Sequence, residues 1–130
     1  MNIAILLGRL TRDPELRTTQ SGLSVATFTI AIDRKFKNAD GTRTADFISC
    51  VAWRQTAEFI AQYFHKGSMI AVEGTIQTRN YEAQDGSGKR YVTEVIVDAA
   101  HFTGNKQDNQ SGYQTEQYDG DSSVELPFEL

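Results

Sequence analysis

Apolar and polar positions alternate with a period of two along most of the first hundred residues, the signature of half-buried strands. Residues 2–10 predict a strand with Ile3, Ile5 and Leu7 on one face, and Gly8 in it marks a bend or a close backbone approach. Asp13-Pro14 signals a turn. Residues 23–34 predict a second, longer strand, with Ala26, Phe28, Ile30 and Ile32 on one face and Val25, Thr27, Thr29 and Ala31 on the other. Residues 35–45, which include Asp40-Gly41, predict the tip of a long hairpin. The third strand, 46–54, separates Ile48, Cys50 and Ala52 from Phe47, Ser49, Val51 and Trp53. Over 55–65 the period changes: Ala57, Ile60, Ala61 and Phe64 recur at helical spacing, with Lys66-Gly67 as the stop. Residues 68–81 predict a fourth strand, with Ile70, Val72, Gly74 and Ile76 facing one way. Asp85-Gly86-Ser87-Gly88 predicts a second hairpin tip, and 89–102 a fifth strand with apolar residues on both faces.

The order is therefore β-β-β-α-β-β, an all-β chain with one short helix. Five strands with a helix between the third and fourth is the layout of an OB-fold, a partly open Greek-key barrel. The expected barrel domain covers residues 1–104. Beyond Gly104 the periodicity ends in a run rich in Gly, Asn, Gln, Ser and Asp, so 105–130 is expected to be a disordered tail. Its last six residues, Glu125-Leu126-Pro127-Phe128-Glu129-Leu130, turn apolar again.

Charge changes the picture. The formal net charge is −4 over 130 residues, which by itself argues against a nucleic-acid partner. Its distribution reverses that inference. All 13 Lys and Arg lie in residues 1–106 beside eleven acidic residues, whereas 107–130 holds six acidic residues and no basic one. A weakly basic domain thus carries an acidic tail, a block of the kind that marks interaction tails. The apolar runs are too short to span a bilayer, and no basic stretch precedes the first of them, so no membrane partner is expected and the expected location is the cytoplasm. The single cysteine, Cys50, allows no intrachain disulfide and reads as a small buried apolar residue. His65 and His101 lie far apart with no partner at ligand spacing, so no metal site is expected. No nucleophile–base pair or phosphate loop stands out, and no catalytic residue is assigned.

The chemistry lies in aromatic and basic residues. Phe47 and Trp53 point away from the aliphatic face of the third strand, Phe36 sits at the first hairpin, and Tyr81 and Tyr91 flank the second. Around them lie Arg34, Lys35, Lys37, Arg43, Arg54, Arg79, Lys89 and Arg90, with Arg9, Arg12 and Arg17 from the first strand and the turn after it. An unpaired base offers a π-face that stacks on an aromatic ring, and phosphates take Lys and Arg. Any one of these aromatics alone would read as cross-strand packing. Together, two hairpins each carrying aromatics and several cations favour a nucleic-acid interface, with the single strand preferred because a duplex hides its base faces.

These residues resemble a known family. Gly8-Arg9-Leu10-Thr11-Arg12-Asp13-Pro14-Glu15-Leu16-Arg17 is similar to the opening motif of bacterial and phage single-stranded DNA-binding proteins. So are Phe47 to Trp53, Tyr63 to Ser68, Val72 to Tyr81 and Tyr91 to Val95, and the resemblance covers residues 1–103 in order. It implies an OB-fold without cofactor or catalysis that assembles as a homotetramer. The family protects single-stranded DNA in replication, recombination and repair. Its base-stacking aromatics fall on Phe36, Phe47, Trp53 and Tyr81. It also implies that an acidic C-terminal tip recruits replication, recombination and repair proteins. Here Pro127-Phe128 matches that tip, but Glu129-Leu130 follow, so the terminal carboxylate belongs to Leu130 rather than to the Phe. Two other readings compete: an adaptor OB protein whose main task is protein contact, and an enzyme.

Overall fold

The computed structural model describes residues 1–104. The expected tail, including the tip Glu125 to Leu130, lies outside the described residues. Six strands and one helix follow in the order β1 (Ala4–Leu10), β2 (Glu15–Thr18), β3 (Ser24–Asp33), β4 (Ala45–Trp53), α1 (Arg54–Tyr63), β5 (Met69–Glu82) and β6 (Lys89–His101). They form one sheet, β1-β5-β6-β4-β3-β2, and β1 also pairs with β3, which closes five of the strands into a barrel. This is the OB-type architecture expected from the pattern, with one strand more than predicted. β2 is that strand. All four of its residues are exposed and it is held by ladder bonds to β3, so no burial pattern announces it.

β3 gives the closure its geometry. Its first half pairs with β2, Glu15 opposite Thr27 and Thr18 opposite Ser24, and its second half pairs with β1, Arg9 opposite Ala31 and Leu10 opposite Ile30. Its other edge runs antiparallel to β4 from Val25–Trp53 to Asp33–Ala45. A short parallel pairing, Cys50 to Ala52 of β4 with Val95 to Val97 of β6, completes the circuit. The interior is filled by Ala26, Phe28 and Ile30 of β3, Cys50 and Ala52 of β4, Ile70 and Val72 of β5, and Val95 and Val97 of β6. Ala57 and Ile60 of α1, with Phe64 just after it, join the same cluster, and the helix packs chiefly against β3, β4 and β6.

The structure decides which face of β1 is inward, and it ends α1 earlier than the sequence expectation. The inward row of β1 is Ala4, Gly8 and Leu10, with Leu6 partly buried, while the bulkier Ile3, Ile5 and Leu7 point outward and are exposed. At position 8 no side chain can enter, because the chains approach too closely: a Cβ on Gly8 would stand 2.4 Å from Ile30 Cγ2 and 2.5 Å from the Ala31 carbonyl oxygen. The helix ends at Tyr63, before the Lys66-Gly67 stop, and the Phe64 amide closes it by donating to Ile60 O. Gly67 serves the following turn instead: φ is +86°, and its amide donates to Leu10 O at 2.8 Å. The Lys66 amide donates to Asp13 Oδ1 at 2.8 Å, which ties that turn to the Asp13-Pro14 corner.

Gly74 marks the second close approach. The β5–β6 register shifts between Glu73 and Gly74, and a Cβ at Gly74 would sit 2.0 Å from Ile96 O. Because that neighbour is backbone, it cannot move aside as a flexible side chain would. Gly74→Ala is therefore expected to destabilise the fold by about 1–3 kcal/mol, the usual cost of overpacking. Chemical denaturation reads the loss, and an unchanged midpoint would contradict the tight approach.

Candidate nucleic-acid interface

The outward face of the sheet follows from pairing register. On β4, Phe47, Ser49, Val51 and Trp53 alternate with the buried Cys50 and Ala52. Val25 pairs with Trp53 and Thr27 with Val51, while Val51 also aligns with Ile96 of β6. Across β6, Ile96 lies opposite Thr75, Glu94 opposite Gln77, Val92 opposite Arg79 and Arg90 opposite Tyr81. Arg17 of β2 stands opposite Val25. The walls meet in an open cleft of about 470 Å³ lined by Arg17, Val25, Val51, Trp53, Arg79 and Glu94, among others. A smaller cleft of about 230 Å³ adjoins it, where Arg12, Ser49, Val51, Arg79 and Glu94 come together. Strand alternation thus brings Arg17 and Arg79, and the bend between β1 and β2 brings Arg12, to the face that carries Trp53.

The aromatics lie at the surface rather than in the core. Trp53 is 41 % exposed, Phe47 66 %, Tyr81 48 % and Phe36 82 %. Phe47 shares the outward side of β4 with Trp53, Phe36 stands on the β3–β4 hairpin, and Tyr81 stands near the end of β5 over a shallow hollow that Arg90 also lines. A second aromatic group has a structural task. Phe59, Tyr63, Phe64 and Phe102 pack ring against ring, Phe64 and Phe102 stacking at 5.1 Å between centroids, and so fasten the end of β6 to the helix.

Trp53 is placed by a strained corner. It is the last residue of β4, and Arg54 turns the chain directly into α1 with a φ of +59°, the one non-glycine positive φ among the described residues. A side chain in that left-handed region costs about 1–2 kcal/mol. No side chain caps the helix start, so the direct turn sets where the indole sits.

The cations differ in what already holds them. Arg34 makes a forked contact with Asp46, Nε and Nη2 reaching the carboxylate at 2.9–3.3 Å. The contact raises the Arg34 pKa and holds the Asp46 carboxyl below its ordinary range, in both cases chiefly through the hydrogen bond. Arg43 donates to the carbonyls of Arg34 and Lys35 and so braces the hairpin that carries Phe36. Arg79 Nε donates to Glu94 Oε1 at 2.9 Å, and its guanidinium carbon lies 5.8 Å from the Tyr81 ring centroid. That hydrogen bond and the nearby charge raise the Arg79 pKa. Arg90 Nη2 donates to Ser87 Oγ in the second hairpin tip. Lys35, Lys37, Lys89 and Arg54 are exposed, the first three on or beside the two hairpins. Arg9 lies on the outward row of β1, where Nη1 donates to Gly67 O at 2.9 Å, and it lines neither cleft.

Sequence reasoning missed Glu94. Its carboxylate is buried in the wall shared by both clefts, and an acid inside a buried strand that also carries Val95 and Val97 was the available signal. Cys50 borders the smaller cleft from beneath, and burial pushes its thiol up to about 12, so it stays protonated near neutral pH. Among the described residues, no group of three or more His, Cys, Asp or Glu could hold a metal ion, and no helix is long and apolar enough to cross a membrane.

An OB-type barrel with aromatics and cations gathered on one open sheet face defines a class of oligonucleotide-binding modules. The comparison with known proteins narrows that class. The single-strand binding protein family matches residues 1–103, and the chain belongs to that family. Over 119 residues it is 53% identical to a single-stranded DNA-binding protein of Oceanobacillus iheyensis, covering 88% of this chain and 73% of the relative. It is 51% identical to single-stranded DNA-binding protein 3 of Listeria innocua, over 86% of this chain and 69% of that one. With the single-stranded DNA-binding protein of Lactiplantibacillus plantarum it shares 60% identity over 98 residues, which are 75% of this chain but 48% of the relative. Membership agrees with the expectation of a DNA-binding family rather than an enzyme.

Proposed function

We propose that the open sheet face binds single-stranded DNA with little regard to sequence and shields it during replication, recombination and repair. The observation that carries this reading is the exposure of Trp53 and Phe47 on the outward side of β4, beside a cleft that gathers Arg17 and Arg79. Bases stack on the rings of Phe36, Phe47, Trp53 and Tyr81. The phosphates follow Arg12, Arg17 and Arg79, and then the hairpin cations Lys35, Lys37, Lys89 and Arg90. Arg34, already paired with Asp46, contributes less. Family membership and the names of the relatives support the assignment.

The same reading extends to assembly and partners. Ile3, Ile5 and Leu7 form an exposed apolar row, and within the described residues Ala4 to Gly8 pair on one side only, with β5. An open strand edge beside such a row suits pairing with further copies of the chain. The expected homotetramer uses it. The acidic residues of 107–130 and the tip Glu125 to Leu130 recruit partner proteins in the cytoplasm.

Four outcomes are expected. Oligo-dT should quench Trp53, the single tryptophan, with an affinity that falls as salt rises. Phe47→Ala should cost about 1–3 kcal/mol of binding, the worth of one base stack. Unchanged emission and salt-independent binding would refute the assignment. Ile5→Glu should break the assembly into smaller species in mass measurements, and an unaltered mass would exclude the β1 row from the contact. Removing residues 125–130 should abolish capture of replication proteins while leaving the oligo-dT titration intact, and retained capture would count against the tip.

A further inference from the structure

A carboxylate in the wall of a groove that takes phosphates is an electrostatic anomaly. Glu94 is 7 % exposed and borders both clefts. A buried charge needs a partner, and Arg79 supplies it through the 2.9 Å bond from Nε to Oε1. The contact uses only Nε of the guanidinium, the nitrogen nearest the stem. Glu94 therefore holds the Arg79 fork at its base, with donors left over on Nη1 and Nη2. Arg79 is itself half exposed and lies 5.8 Å from the centre of the Tyr81 ring, so fixing the guanidinium also fixes the face available beside that ring. The register supports this placement: Gln77, Arg79 and Tyr81 share one side of β5, and Glu94, Val92 and Arg90 share the matching side of β6. Glu94 sits one step diagonally from Arg79, within reach of a direct bond.

We propose that Glu94 is a positioning residue for strand binding: it anchors Arg79 by Nε so that the remaining guanidinium donors and the adjacent Tyr81 ring are presented to one nucleotide unit, phosphate and base together. This rests on the assignment of the open face as the DNA site. It makes an expectation opposite to that of simple charge. Removing a negative charge from a phosphate groove should tighten binding and steepen its salt dependence. Removing an anchor should weaken binding, because Arg79 must then be ordered by the DNA itself.

The test is fluorescence anisotropy of a labelled oligo-dT with the full chain and four variants: Glu94→Ala, Glu94→Gln, Arg79→Ala and the Glu94→Ala/Arg79→Ala double, each checked for native melting. Glu94→Ala is expected to weaken binding by about five- to tenfold, the scale of one typical hydrogen bond, with a salt slope no steeper than that of the native chain. Glu94→Gln keeps an oxygen acceptor for Nε and similar volume, so it should stay within about twofold of native affinity. In the double variant the Glu94 substitution should cost nothing beyond Arg79→Ala, since residues acting as one unit are not additive. Tighter binding and a steeper salt slope in Glu94→Ala would overturn the proposal, as would an equal loss in a well-folded Glu94→Gln. A Trp53→Ala control separates the two levels. If neither Trp53→Ala nor Arg79→Ala alters binding, the face itself is misassigned and the role of Glu94 falls with it. If both weaken binding while Glu94→Ala tightens it, only the positioning role fails.

Discussion

A strand has two faces, and a small closed barrel can fill only one of them. In β4 the inward positions Cys50 and Ala52 are nearly sealed from solvent by aliphatic residues of β3, β5, β6 and α1. The interior is completed without Phe47 or Trp53. Period-two alternation then leaves both rings outside, on the same side as Ser49 and Val51. Everything distinctive about the open face follows from that partition. The pairings of β4 with β3 and β6 bring Val25, Thr27 and Ile96 beside the rings, and the outer neighbours β2 and β5 bring Arg17 and Arg79 to the rim.

The same geometry sorts the cations by what they can do. A guanidinium already forked to a carboxylate, as Arg34 is to Asp46, has little left for a phosphate, and its contact steadies the base of the first hairpin. Arg43 braces the same hairpin through two backbone carbonyls. Arg79 differs because its acid partner lies buried beneath it and takes one nitrogen. Counting positive charges along the sequence treats these residues as equivalent, whereas their partners divide them into braces and contacts. The strained Arg54 corner belongs with the braces, since its left-handed backbone ends β4 at Trp53.

Much of this was legible in the sequence, for physical reasons that also explain the misses. Long alternating segments such as Ser24–Asp33 carry their own inside and outside, so β3, β4 and the helical stripe Ala57-Ile60-Phe64 could be read directly. β2 could not, because four exposed residues held by ladder bonds show no hydrophobic period. Alternation placed Ile3, Ile5 and Leu7 on one face of β1 without deciding which face goes inward. At Gly8 the approach of Ile30 and Ala31 leaves no room for a side chain, and the face of Ala4, Gly8 and Leu10 goes inside while Ile3, Ile5 and Leu7 stay outside. The role of Glu94 was hidden for a related reason. Its partner is fifteen residues away on the neighbouring strand, and that pairing exists only once the register is set. The aromatics were found because an outward Trp or Phe opposite a sufficient aliphatic face is unusual on its own terms.

The central claim is that a single strand lies across the outward side of β4 and its neighbours. Ultraviolet cross-linking of the full chain to oligo-dT, with the modified residues mapped by mass spectrometry, tests it most directly. The account predicts adducts at Trp53, Phe47 and Tyr81, all suppressed by excess unlabelled single strand and not by duplex. Adducts confined to the aromatic cluster of Phe59, Tyr63 and Phe102, or equal competition by duplex, would contradict it.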